Sequence, residues 1–208
     1  LEMGEGNNVS FGDNGQADFR PSDEGFLDAF TIDPNDGAAD VIDATGTGIN
    51  VAFGGLGADQ IHLGDGQNTV FGDDGYATFN PDTDIPLHAY TTDPGIGGND
   101  TIDAQGKGVN VAFGGPGMDT ITIGDPTTPE LTGNNTVFGD DGEAFFDGLT
   151  GVPYLAQTTN PGDGFDDTIT ANGIGVSVAF GGPGTDYITL GDGTNTDRPA
   201  PVPSRFTP

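Results

Sequence analysis

The chain has 208 residues, among them 38 glycines and 15 prolines, and its 33 acidic side chains against four basic ones give a formal charge of −29. Such acidity leaves no basic face for nucleic acid or anionic lipid, and the absence of cysteine removes disulfide, zinc-thiolate and thiol chemistry. Only a third of the chain is apolar and no run approaches the roughly 18 apolar residues of a membrane span, so the spacing of the glycines decides what remains.

In chain order, NNVSFGDNG (7–15) opens the pattern and is followed by a 23-residue segment, 16–38. NVAFGGLGADQIHLGD (50–65) and QNTVFGDDG (67–75) come next, then a second 23-residue segment, 76–98. NVAFGGPGMDTITIGD (110–125) and NNTVFGDDG (134–142) are separated by an insertion, PTTPELT (126–132). A third segment of 23 residues, 143–165, precedes SVAFGGPGTDYITLGD (177–192). The step from Gly54 to Gly114 is 60 residues; that from Gly114 to Gly181 is 67, the insertion accounting for the difference. The last thirteen residues, 196–208, hold four prolines and read as an extended tail or linker.

Within each unit runs a period of about nine, G-G-x-G-x-D-x-U-x with U a large aliphatic residue, as in GGLGADQIH (54–62); LGDGQNTVF (63–71) follows with Asn in the Asp slot. The pattern, sustained from residue 4 to about 195, resembles the nonapeptide of the RTX (repeats-in-toxin) family. That resemblance implies a parallel β-roll with several Ca²⁺ ions in its turns. It also implies an extracellular or cell-surface location reached by bacterial type I secretion.

The residues support the same architecture without the family name. The glycine-rich half must turn sharply, and the D-x-U-x half is too short for a helix and rich in Ile, Val and Thr, which reads as a strand. Alternation sends Ile42, Ala52, Ile61, Val70, Ile102, Ala112, Ile121, Val137, Ile169, Ala179 and Ile188 inward. The expected fold is all-β: a parallel β-roll or β-solenoid of about six coils over residues 1–195, with β-hairpin arms inserted at 16–38, 76–98 and 143–165. The equal length of the three segments and their shared Ala17/Ala77/Ala144 and Phe19/Phe79/Phe146 argue for the arms. A side sheet and independent flaps are both open to them.

Alternate turns fall on opposite edges of such a roll, and the two edges differ. One carries Asp40, Asp59, Asp100, Asp119, Asp167 and Asp186, the candidate Ca²⁺ ligands. The other carries Asn8, Asn50, Asn68, Asn110, Asn135, Ser177 and Asn195, which read as weak ligands (Asn50, Asn68, Asn110 and Asn135) or as turn residues binding no metal. Six carboxylates stacked at about 4.8 Å repel one another, and a divalent cation is the remedy a chain with four basic side chains has.

Phe11, Phe53, Phe71, Phe113, Phe138 and Phe180 each precede a turn on the Asp edge and should form a ladder outside one sheet, covered by the arms or by a neighbouring chain. His62 and His88 read as solvated, no serine sits in a nucleophile elbow, and the pairs Asp73-Asp74 and Asp140-Asp141 read as turn structure, so no enzyme is expected. The function this supports is structural: a Ca²⁺-binding section of a large secreted or surface protein, or a fibre subunit associating end to end or laterally. The alternatives are an ice- or glycan-binding module using the outward threonines 101, 120, 122, 168, 170 and 189, and an accessory tail of a secreted enzyme.

Overall fold

The computed structural model describes residues 1–21, 25–125, 127, 133–162 and 164–199; of the inserted 126–132 it describes Thr127 alone, and 200–208 lie outside the described residues. All the regular elements among them are strands, arranged in three sheets. The first sheet is parallel, with seven strands: β1 (Glu2–Met3), β5 (Val41–Ala44), β7 (Gln60–Leu63), β11 (Thr101–Ala104), β13 (Thr120–Ile123), β17 (Thr168–Ala171) and β19 (Tyr187–Leu190), in that order. The second is also parallel and seven-stranded: β2 (Asn8–Phe11), β6 (Ile49–Phe53), β8 (Gln67–Phe71), β12 (Asn110–Phe113), β14 (Asn135–Phe138), β18 (Val176–Gly182) and β20 (Thr194–Pro199). Successive passages of the chain therefore stack in register, Ile42 beside Ile61 beside Ile102 beside Ile121, and Ala52 beside Val70 beside Ala112 beside Val137.

These two sheets face each other across a thin core. It holds the inward aliphatic residues expected from the nine-residue period together with Ala44, Leu63, Ala104, Ile123 and Ala171, which sit two positions further along their strands. The strands of the first sheet alternate buried and open positions, one face on the core and one in solvent. Those of the second are buried at nearly every residue, as parallel strands covered on both faces are.

The second cover is the third sheet, six strands, all antiparallel: β16 (Pro153–Thr158), β15 (Gly142–Phe146), β10 (Pro86–Thr91), β9 (Gly75–Phe79), β4 (Phe26–Thr31) and β3 (Gly15–Phe19). Its strands come in pairs from the three equal-length segments. Ala17, Ala29, Ala77, Ala89, Ala144 and Ala156 lie side by side across it, and these small side chains let the sheet come close to what lies beneath. Beneath lie the six ladder phenylalanines, whose rings stack at 4.7–5.0 Å and within 12° of parallel. Phe53, Phe71, Phe113 and Phe138 are fully buried against Phe26, Phe79, Phe146 and the alanines. Of the two covers open to the ladder from sequence, the chain's own strands are the one observed over the inner rings, and Phe11 at the end of the stack is only partly covered. At the C-terminal end β20 keeps pairing with β18 as far as Pro199, past residue 195 where composition changes.

Candidate functional site

The turns between the first two sheets form two columns of polar side chains with opposite chemistry. On one edge the Asn8 Nδ2 donates to Asn50 Oδ1 at 2.9 Å, Asn50 to Asn68 at 2.9 Å, Asn68 to Asn110 at 3.1 Å and Asn110 to Asn135 at 3.0 Å. Each Nδ2 of the first four also reaches a turn carbonyl four residues back: Gly4, Gly46, Gly64 and Gly106. An amide both donates and accepts, so a column of amides satisfies itself. At the next step Ser177 replaces Asn, and Asn135 turns its Nδ2 to the Asn172 carbonyl at 2.6 Å. Asn50, Asn68, Asn110 and Asn135 thus have their side-chain oxygens already engaged by a neighbouring amide.

The other edge holds Asp40, Asp59, Asp100, Asp119, Asp167 and Asp186 in one column. The backbone N–H of Asp40 donates to Asp59 Oδ1 at 2.6 Å, and the link repeats from Asp59 to Asp100, Asp100 to Asp119, Asp119 to Asp167 and Asp167 to Asp186 at 2.7–3.1 Å. One carboxylate oxygen of each residue after Asp40 is thereby fixed. The second, Oδ2 of Asp59, Asp100, Asp119 and Asp167, is buried without a hydrogen-bond partner. A carboxylate only accepts, so this column cannot close on itself as the amides do.

The orphaned oxygens sit among turn carbonyls. Asp59 Oδ2 and the Gly72 carbonyl lie against Gly54, Asp100 Oδ2 and the Gly114 carbonyl against Gly72, and Asp119 Oδ2 and the Gly139 carbonyl against Gly114. A Cβ on any of these glycines would collide with both oxygens, which is why the residue after each ladder phenylalanine has no side chain.

From sequence the pairs Asp73-Asp74 and Asp140-Asp141 read as turn structure and Asp13 carries no reading; the structure adds the first acidic residue of each GDxG turn to the Asp edge. Asp13, Asp73 and Asp140 point into the same edge: each accepts a backbone N–H on Oδ1 (from Ala38 at 3.2 Å, Gly98 at 2.9 Å and Phe165 at 3.1 Å) and keeps Oδ2 buried and unpartnered. The available signal was alternation in one slot, where Asp13, Asp73 and Asp140 take turns with Gly55, Gly115 and Gly182.

Burial is the main reason these carboxyls resist ionising, and like charge adds to it. Asp59 is pushed up to about 6, chiefly by desolvation and then by Asp40 and Asp13. Desolvation raises Asp100 and Asp167 to about 7, with Asp59 and Asp186 respectively adding to it. Asp140 rises to about 8 through burial and then Asp167, and Asp119 to about 9 through burial, Asp100 and Asp167. Asp73 goes furthest, to about 11, buried and flanked by Asp100 and Asp119. Chemically, the edge is a row of hard oxygen donors, anionic and carbonyl, of the type that Ca²⁺ takes in shells of six to eight. Among the described residues no three acidic or histidine side chains already converge on one point, so turn carbonyls must supply part of any such shell.

Elsewhere the chemistry is sparse. His62 lies 3.2 Å from Asp103 on the open face of the first sheet. His88, expected in solvent, stacks on Phe145 at a centroid distance of 4.0 Å and meets Glu143 at 3.0 Å, a pairing made by the β10–β15 contact. The outward threonines form complete T-x-T rows only on β13 and β17; the flanking strands place Asp103 and Tyr187 in the same rows. Comparisons with family models, curated proteins and solved structures find no match to this chain.

Proposed function

We propose that the chain is a structural Ca²⁺-binding segment, a β-roll of about six coils with three hairpin arms, whose acidic edge is neutralised by a row of divalent ions. The observation that carries this reading is the column of buried carboxylate oxygens lacking any proton donor, set beside turn carbonyls in a chain with only four basic side chains. The RTX resemblance supports the same ion. Ca²⁺ at the roughly millimolar level that extracellular modules are tuned to would hold the roll rigid outside the cell, whereas a Ca²⁺-poor cytoplasm would leave it unfolded and exportable by a type I route. In this reading the protein is a section of a secreted or surface protein, or a fibre subunit, and works by being stiff and by stacking with further copies rather than by catalysis.

The test is far-UV circular dichroism of the metal-free chain, titrated with Ca²⁺ and then with a chelator, alongside sedimentation at each Ca²⁺ level. The β-signal should appear with Ca²⁺ and disappear with the chelator. A spectrum indifferent to both would remove the metal from the reading. A strictly monomeric species at millimolar Ca²⁺ would remove the fibre subunit and leave the repeat section.

A further inference from the structure

The six Asp-slot residues do not carry enough charge for the row of ions they would hold. Their backbone links define five steps between successive turns, from Asp40/Asp59 to Asp167/Asp186. Five divalent ions bring ten positive charges, against six from the column. Asp13, Asp73 and Asp140 raise the count to nine, close to balance.

Their placement is regular. Asp73 Oδ2 lies against Gly97 and Gly115, next to the glycines that carry Asp100 Oδ2 and Asp119 Oδ2. Asp140 Oδ2 lies against Gly164 and Gly182, beside Asp167 and Asp186, and Asp13 Oδ2 against Gly37 and Gly55, beside Asp40 and Asp59. The middle group is sealed: Asp73, Asp100 and Asp119 are 1–2% exposed, and all three have an orphaned Oδ2. At the intervening steps, Asp59/Asp100 and Asp119/Asp167, the described residues add no carboxylate of their own; Asp73 reaches Asp59, and Asp140 reaches Asp119, more weakly than they reach their own steps.

We infer that Asp13, Asp73 and Asp140 are direct cation ligands, and that they make every second step of the edge a three-carboxylate site alternating with two-carboxylate sites. This rests on the Ca²⁺ reading above. Because the charge of the ligand set tunes Ca²⁺ affinity, the three-carboxylate steps fill first and the two-carboxylate steps last. The trio are neighbours along the edge, not a closed cage, and a bridging ion completes its shell from the turn carbonyls.

Titration calorimetry of the full chain with Ca²⁺ alone tests it. The isotherm should resolve two classes of site, about three tight and two weaker. Asp73→Asn keeps an acceptor for the Gly98 N–H and loses only the charge; it should weaken one tight site by about tenfold or abolish it. Asp13→Asn should do the same near the more open end of the edge, where the other two groups stay intact if the buried variant fails to fold. Asp192→Asn, an exposed turn residue, controls for lost charge and should leave both classes as they were. Asp13→Asn and Asp73→Asn isotherms that superimpose on the parent, while the parent binds Ca²⁺, overturn this inference alone. A parent that binds no Ca²⁺ overturns the metal reading with it.

Discussion

If the orphaned carboxylates are what makes the fold depend on a cation, protons should substitute for it. The perturbation is removal of divalent ions by exhaustive dialysis, followed by a pH series. Asp100 and Asp167 move from 3.8 in the open chain to about 7 in the metal-free fold. At 1.36 kcal/mol per pKa unit, each opposes folding at pH 7 by about 4 kcal/mol relative to acid. Even one such group opposes folding by a sizeable part of the 5–15 kcal/mol that holds a typical domain. Asp119, Asp140 and Asp73 act in the same direction and continue to titrate above neutrality. The sign follows from the raised values: the folded state binds more protons than the unfolded chain from about pH 4 upward, so metal-free stability is greatest below that and falls as pH rises through 6 and 7. With Ca²⁺ bound the profile should invert, since acid displaces the ion. Thermal melts followed by circular dichroism from pH 3.5 to 8.5, with and without millimolar Ca²⁺, read both profiles. A metal-free melting temperature that is flat or rises between pH 4 and 8 would refute the reasoning.

Two further substitutions separate the columns. Asp119→Ala removes a carboxylate shared by two steps and, on the proposed reading, should weaken Ca²⁺ binding at least tenfold, whereas Asn110→Ala breaks two buried amide links, costs about 1–3 kcal/mol in the melt, and leaves the Ca²⁺ isotherm unchanged. Equal effects on the isotherm would sink the asymmetry. Phe113→Ala opens a cavity between the second and third sheets in the middle of the ring stack and should destabilise by about 3–5 kcal/mol in denaturant titrations at saturating Ca²⁺; a change below 1 kcal/mol would mean that the third sheet is not anchored there.

The two columns were legible in the sequence because a nine-residue period leaves no freedom of register: once Ile61 pairs with Ile102, Asp59 must stack near Asp100 and Asn68 near Asn110. What the period cannot say is which way a turn side chain points. Asp73 sits in a slot that elsewhere holds Gly115 at φ 97°, and only the backbone path shows that its carboxylate turns into the edge instead of out to water. The cover of the phenylalanines was likewise open, because apolar rings on an outer face attract whatever apolar surface is nearest, and whether Phe53 shares a core with Phe79 and Ala77 depends on how the segments fold back. His88 was misread for the same reason: Glu143, its partner, is 55 residues away in sequence and one strand away in the third sheet.

Because the strands run across the stacking direction, the hydrogen bonds of all three sheets point along it. A pull along that axis loads the coils in series, so the weakest lets go first and the rest hold. The slack each coil releases is written in its length: 42 residues separate Asn8 from Asn50 and Asn68 from Asn110, but only 18 separate Asn50 from Asn68. Fully drawn out, these are about 140 Å and about 60 Å of chain. Under tension the molecule would therefore lengthen in unequal strides, long where a coil carries two strands of the third sheet and short where it does not, absorbing load a coil at a time instead of failing at once.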